Sequence, residues 1–311
     1  MIEIENLSKD YGPRRAIDNL SFQINKGEVV GFLGPNGAGK STTMNILACI
    51  MPPSSGTVRI GGHDVLEQSL EARKIIGYLP ENPPLYPDMV VGEYLKFTAL
   101  LRQVPRREVR ASVEHVLEAC SLKDVSGRII GRLSKGYQQR VGLAQAMIHN
   151  PDILILDEPT VGLDPIQIIE IRKLIQTLAE SHTIILSSHI LPEITQICRR
   201  VIILNEGKIA AVDSLEGLTT TLRKGERLFL KVRNVEDDIV DQLQNIPGIL
   251  SAQEEGPGEY RVDAELDANP QDALAELCLK RSWGIVELKR TALSLEDIFL
   301  KLTLEEKEPG E

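Results

Sequence analysis

Aromatic side chains are scarce in this chain: Phe, Tyr and Trp make up 4% of its 311 residues, with a single tryptophan. Any core must therefore be aliphatic, built from Ile, Leu, Val and Ala, a composition that favours helices packed on buried strands. Cysteine is nearly as sparse. Cys49, Cys120, Cys198 and Cys278 lie far apart and fit neither a disulfide framework nor the paired spacing of a zinc site, so they read as reduced core residues. No stretch reaches the roughly 18 uninterrupted apolar residues of a spanning helix. The opening MIEIENLSKD also lacks the basic-then-apolar order of a signal peptide. These absences predict a soluble intracellular chain, any link to a membrane coming through a partner.

Positive charge is in short supply too. The formal net charge is -10, and no Lys/Arg cluster is longer than the Arg106-Arg107 pair with Arg110 close by, which excludes the electrostatic footprint of a general nucleic-acid binder. Residues 1–222 carry 23 basic and 25 acidic side chains, whereas residues 223–311 carry 12 and 20. The acidity is thus concentrated in the last third, and phosphate binding must be local and backbone-mediated. What is present is 42% hydrophobic content, enough to close a core and to exclude disorder as the main state. At roughly 150 residues per domain, the length suggests two domains.

The grammar of the chain changes twice. EIENLSKDY and SFQINKGEVVGFLG read as β segments, the second ending in the apolar run Val29, Val30, Gly31, Phe32, Leu33 typical of a central parallel strand. A glycine loop and the helical pattern STTMNILACI follow, with Ser41 and Thr42 at the helix start. The turn-rich MPPSSGTVRIGGHD, the short run IIGYLP and the breaker-rich PENPPLYPD come next. From about 88 to 147 the pattern is all-helical, with Val109, Val113, Val116, Leu117 and Cys120 on one helix face. ILILDEP, TIILSSH and VIILNEGKIA then alternate with helices, implying a parallel sheet covered on both faces. Past the charged junction RKGER the order is β-α-β-β-α-β, the ferredoxin-like split unit, closed by a last helix SLEDIFLKLT. The expected fold class is α/β for residues 1–222, with a small α+β domain over residues 223–311.

Gly34, Pro35, Asn36, Gly37, Ala38, Gly39, Lys40 and Ser41 fit G-x-x-x-x-G-K-[ST] between a buried strand and a helix, the context that this phosphate-binding motif requires. Its glycines let successive amides converge on phosphate oxygens. The helix dipole adds positive potential, Lys40 adds a full charge, Ser41 is positioned to ligate magnesium, and Thr42 continues the loop into the helix. The strand Ile153, Leu154, Ile155, Leu156 delivers Asp157 and Glu158 at its carboxyl end, where ligands bind in open parallel sheets. Asp157 is the candidate for the magnesium shell and Glu158 for the acid that orients or deprotonates an attacking water.

The motif, then LSKGYQQ (residues 133–139), then ILILDE, then Gly162-Leu163-Asp164, then Ser188-His189, resembles the ATP-binding cassette (ABC) family over residues 2 to about 215. The LSKGYQQR segment directly before ILILDEP separates this resemblance from that of a generic P-loop GTPase or kinase. It implies a P-loop NTPase cassette with a helical insert, hydrolysing ATP with Mg2+. Two copies close head to tail on two nucleotides as an ATP-sandwiched homodimer, each phosphate loop facing the other copy's Ser134 and Gly136. By the same resemblance Tyr11 stacks on adenine, Asp164 reaches across the dimer and His189 touches the γ-phosphate. Ser134 suits an N-cap, and Gly136 allows close backbone approach. Two motifs depart from the family: Lys135 and Tyr137 replace the glycine and glutamine of Leu-Ser-Gly-Gly-Gln, and Glu81 stands where a magnesium-binding glutamine is usual. His63, His115, His149 and His182 read as ordinary structural residues.

The resemblance further implies a motor subunit bound to the inner face of the cell membrane through a separate multispanning permease, whose cytoplasmic helix enters a groove along residues 79–95. It is similar to the exporter-type group, and the SLEDIFLKLT ending leans toward the gliding-associated type. A soluble ATPase acting on ribosomes or nucleic acid is the alternative. Such relatives usually carry two cassettes or a coiled-coil insert, and neither feature is found in this sequence.

Overall fold

The runs around Leu154 and Ile185 form strands in which every residue is buried, as strands covered on both faces require. The computed structural model describes residues 2–214, 217, 225–236, 238–265 and 268–291. It divides into two units, Met1–Ser214 and Leu215–Glu311, whereas the sequence alone places the division between residues 222 and 223.

In the first unit β1 (Ile2–Tyr11), β2 (Arg14–Ile24), β4 (Ser55–Ile60) and β5 (His63–Asp64) make an antiparallel sheet in the order β2-β1-β4-β5. Ile2 of β1 sits opposite Ile24 on one side and Ile60 on the other, so one apolar row crosses the sheet. The second sheet contains β3 (Val29–Leu33), β6 (Ile76–Leu79), β7 (Ile153–Asp157), β8 (Thr183–Ser188) and β9 (Arg200–Asn205), all parallel, with β10 (Lys208–Ser214) returning antiparallel at one edge. Its order is β10-β9-β3-β8-β7-β6, which sets β3 beside β8, and β8 beside β7. The carboxyl ends of these three central strands therefore converge on one rim.

Between the two sheets lies an aliphatic core that includes Ile4, Leu20, Phe22, Phe32, Met44 and Ile155, with Phe22 and Phe32 edge to face at 5.2 Å. Helix α1 (Lys40–Leu47) follows β3, and a short α2 (Ser69–Lys74) precedes β6. The helical insert holds α3 (Val91–Leu101), α4 (Val109–Ala119) and α5 (Lys135–Met147). Helices α6 (Pro165–Leu178) and α7 (Leu191–Thr195) follow β7 and β8. Leu79 and Leu95, the expected ends of a groove lining, are instead buried in the core, and Tyr86 between them is exposed beside Tyr94 and Phe97. All four cysteines are free thiols, three buried and Cys49 half-buried.

In the second unit β11 (Gly225–Val232), α8 (Ile239–Gln244), β12 (Ile249–Gly256), β13 (Glu259–Glu265), α9 (Gln271–Lys280) and β14 (Ile285–Thr291) follow in sequence. The sheet order is β12-β13-β11-β14 with every pair antiparallel, the arrangement of a split β-α-β-β-α-β unit. Its core gathers Leu228, Leu230, Leu243, Tyr260, Val262, Leu274 and Trp283. Residues 225–227, expected within a junction, open β11 instead. The expected helix SLEDIFLKLT, residues 294–303, lies outside the described residues. Among the described residues no helix is long and apolar enough to cross a membrane.

Candidate active site

β3 ends at Leu33 and α1 begins at Lys40, so residues 34–39 form a loop at the rim where the parallel strands end. Gly39 holds φ 100° and ψ 2°, a left-handed conformation that a side chain disfavours, and a Cβ there would sit 2.8 Å from the Ala16 carbonyl oxygen. No side chain caps α1, which leaves its first amides and the positive end of its dipole open to an anion. Lys40 is buried, and its ammonium donates to the carbonyls of Gly34 at 2.8 Å and Pro35 at 3.3 Å. Within the loop the Ala38 amide donates back to Pro35 at 3.2 Å. The Gly34 and Pro35 carbonyls thus fold the loop back on itself and on to Lys40.

Register places Asp157 of β7 opposite Ser187 of β8. The Asp157 carboxylate accepts from the Ser187 hydroxyl at 2.6 Å and from Ser41 at 3.2 Å. Burial pushes its pKa up, while the two hydroxyls act against that rise. Ser187 also accepts the Glu158 amide at 2.9 Å, so one hydroxyl fixes both neighbouring acids. Glu158 adopts φ 48°, a left-handed backbone uncommon for a non-glycine residue and found preferentially at functional positions. Its Oε1 lies 3.3 Å from Lys40 Nζ, and its Oε2 accepts from His189 Nδ1 at 2.8 Å. A buried carboxylate is therefore stretched between the loop lysine and the histidine that follows β8.

A cavity of about 450 Å³ opens beside this pair, lined by Tyr11, Arg14, Ala16, Asn36, Gly37, Gly39, Lys40, Ser41, Thr42, Glu81, Glu158, Val161 and His189. Its volume suits a small organic ligand. The structure thereby brings together most of the residues picked out from the sequence. Gly34, Pro35 and Ala38 form the loop behind the cavity wall, and Asp157 stands one hydrogen bond behind Ser41. Tyr11 is exposed at the mouth, its hydroxyl on Met51 Sδ at 2.9 Å. Ser134, Gly136 and Asp164 are not among the residues that line the cavity. Ser134 caps α5 by accepting the Tyr137 amide at 3.5 Å, and Asp164 caps α6 by accepting from Ile166 and Gln167 at 3.0 and 2.9 Å. Gly136 admits the Gln167 side chain so closely that a Cβ would meet it at 2.7 Å, which fastens the start of α5 to α6.

Arg14, Ala16, Val161 and the hydroxyl of Ser187 escaped the sequence reading. Arg14 had a usable signal, since it lies three residues beyond Tyr11 across the tight Gly12-Pro13 turn between two strands. Ser187 had none, because its role depends on the pairing of β7 with β8.

Comparison with known proteins bears on this geometry. The family model described as ABC transporter matches residues 17–161. A model described as the C-terminal domain of DrrA1-3-like ATP-binding proteins matches residues 223–303. The chain is 34% identical over 304 residues to the bacitracin transport ATP-binding protein BcrA of Bacillus licheniformis, covering 97% of each. It is also 34% identical over 303 residues to the Nod factor export ATP-binding protein I of Burkholderia thailandensis, covering 97% of this chain and 96% of that one. Among solved structures it is similar to a dimeric post-hydrolysis state of the ATP-binding cassette MJ0796 bound to ADP and Pi. The TM-score there is 0.63, with 28% identity, 69% of this chain and 99% of that one covered.

Proposed function

This chain belongs to the ABC transporter family, and from that premise we propose that it is the ATP-hydrolysing subunit that drives export through a separate membrane-embedded partner. The observation that carries the reading is the Glu158 carboxylate held between Lys40 at 3.3 Å and His189 at 2.8 Å on the wall of a phosphate-loop cavity. Phosphoryl transfer asks a protein mainly for positioning and charge stabilisation, and this site offers both.

In the proposed reaction the phosphate chain of ATP lies along residues 34–42, with Tyr11 against the adenine. Lys40 leaves its carbonyl partners for the phosphate oxygens, a charge-assisted contact. Glu158 accepts the proton of the attacking water at a carboxylate oxygen as the bond from the γ-phosphorus to the bridging oxygen breaks and ADP departs. His189 gives Nδ1–H to Glu158, and its Nε2 donates to the γ-phosphate when the ring carries both protons. Ser41 and Asp157 supply hard oxygen donors 3.2 Å apart, which fits a magnesium ion that takes one or two protein oxygens and fills its shell with phosphate and water. Glu81, on the same cavity, is the third candidate ligand. Magnesium held there would supply charge neutralisation to the phosphates.

Ser134, Gly136 and Asp164 are assigned to the nucleotide of a second copy of the chain, a placement supported by their absence from this cavity's own lining. The spanning part of the transporter is assigned to the partner, with this subunit peripheral on the inner face of the membrane. A net charge of -10 favours this reading over an ATPase acting on ribosomes or nucleic acid.

Glu158→Gln tests the assignment. Turnover falls by roughly two to four orders of magnitude, the range for loss of a positioned general base. ATP still binds, and light scattering shows a nucleotide-dependent dimer. Normal hydrolysis by this variant refutes Glu158 as the base.

A further inference from the structure

Behind the Glu158 and His189 pair lies a second carboxylate that the proposed reaction does not use. Glu193 of α7 is only 6% exposed. Its Oε2 accepts from the Thr160 hydroxyl at 2.6 Å and from the Ser188 hydroxyl at 2.8 Å. Thr160 stands two residues after Glu158, and Ser188 immediately precedes His189. Ser188 Oγ also accepts the Ile190 amide at 3.0 Å, so this one hydroxyl serves both α7 and the turn that carries the histidine. Among the described residues, Glu193 forms no ion pair with Lys, Arg or His. Burying a carboxylate without a cation is costly, and apolar groups of the same shape would pack there at little loss. Packing alone therefore does not explain an acid at this position.

We propose that Glu193 is a positioning residue that clamps the chain leaving β7 to the chain leaving β8, so that Glu158 and His189 keep their mutual contact. A single oxygen takes one hydrogen bond from each segment, and a shift of either turn must break a bond or move the other. The Thr160 turn continues through the Leu163 amide, which donates to the Thr160 carbonyl at 3.2 Å, and on to Asp164. The clamp thus lets the segment assigned to the second copy of the chain act on the orientation of the general base. The inference rests on the proposed role of Glu158 and goes beyond it by naming what holds that residue in register.

The test is steady-state ATP hydrolysis and ATP binding by the full chain. Glu193→Ala lowers kcat roughly 10- to 100-fold, the scale of a small misplacement of reacting groups, while KM and ATP affinity stay within about twofold. Glu193→Gln recovers kcat to within about threefold, because its amide oxygen accepts both hydroxyls. In a double-mutant cycle Thr160→Val costs little more once Glu193 is Ala, as expected for partners in one network. The clamp is overturned by wild-type kcat in Glu193→Ala, by Glu193→Gln as damaged as the alanine variant, or by additive effects in the cycle. Should Glu193→Ala fail to fold, the paired Thr160→Val and Glu193→Leu variant replaces the bond with apolar contact, and unchanged kcat there overturns the proposal equally. Glu158→Gln is measured alongside. If it hydrolyses ATP normally, the reading of the site fails; if it is inactive and Glu193→Ala is fully active, only the clamp fails.

Discussion

The two units bury different things. Among the described residues, every buried polar or charged side chain lies between Ser8 and Asn205, in the first unit, whereas the second unit buries Leu, Ile, Val, Ala, Tyr, Cys and Trp. Strand direction accounts for the contrast. Parallel strands send all their carboxyl ends to one rim, where Asp157, Ser187 and the loop after Leu33 meet without long connections. In the antiparallel sheet of the second unit, neighbouring strands end on opposite rims, so no rim collects the same kind of terminus. Its inward residues can specialise in packing alone. Part of the first unit's buried polarity, Lys40, Asp157, Glu158 and Ser187, gathers at that rim beside the phosphate loop.

That contrast can be broken from either side. The largest effect is expected from Trp283→Ala in the second unit. The side chain is fully buried, with its indole N-H on Glu236 at 3.0 Å. Truncating a buried Trp costs about 3–5 kcal/mol. Calorimetry should show the transition of the second unit lowered while ATP affinity of the first stays within twofold; a parallel loss of affinity would erase the distinction drawn here.

Next in size is the reverse experiment. Lys40→Ala removes the charge beside Glu158 and should lower kcat/KM at least about 100-fold, close to 3 kcal/mol of transition-state stabilisation. Melting of the second unit should not move.

Titration separates the two units as well. All five histidines fall at or before residue 189, so any imidazole contribution to acid sensitivity belongs to the first unit. His149 donates through Nε2 to the Ile76 carbonyl, 3.0 Å away, and its Nδ1 is buried with no hydrogen-bond partner. Burial, aided by Arg102, pushes its pKa down to about 4. The folded value lies below the unfolded one of about 6.5. The associated stability is therefore complete above pH 6.5, and it drains away as pH falls from there through 4. Discounted for partial solvent contact, it amounts to about 2 kcal/mol. His149→Gln keeps a donor for Ile76 without titrating, so urea unfolding at pH 7 and pH 5 should differ less in that variant than in the wild type.

The smallest effects come from the two helix caps. Asp164→Ala should cost about 1 kcal/mol and Ser134→Ala less, because Asp164 accepts two amides near 3 Å and Ser134 accepts one at 3.5 Å. Denaturant midpoints measured side by side resolve the order.

How much of this was legible beforehand depended on distance along the chain. The strand, loop and helix from Val29 to Leu47 are contiguous, so glycine spacing and hydrophobic pattern announced the phosphate site in one place. Asp157 and Glu158 were legible for the same reason, standing at the end of an unbroken apolar strand. The turn-rich stretch around Gly56 hid β4, since Val58 and Ile60 are its only buried residues, too few to register as alternation. Helix α2 was invisible, with Ala72 alone buried in six residues. Ser187 and Glu193 were unreadable because their value arises from strand register and a tertiary turn, and neither leaves a mark on local sequence. Leu79 and Leu95 were misjudged as groove lining because an apolar residue carries no sign of which surface it faces.

The backbone at Glu158 has one more consequence. Its φ of 48° is a geometry that glycine or asparagine adopts far more readily than glutamate. Glu158→Gly would relieve that backbone geometry, but it would remove the buried carboxylate that faces Lys40 and His189 and that we assign to turnover. At this position backbone preference and usefulness pull in opposite directions, so gains in durability must be sought elsewhere in the chain.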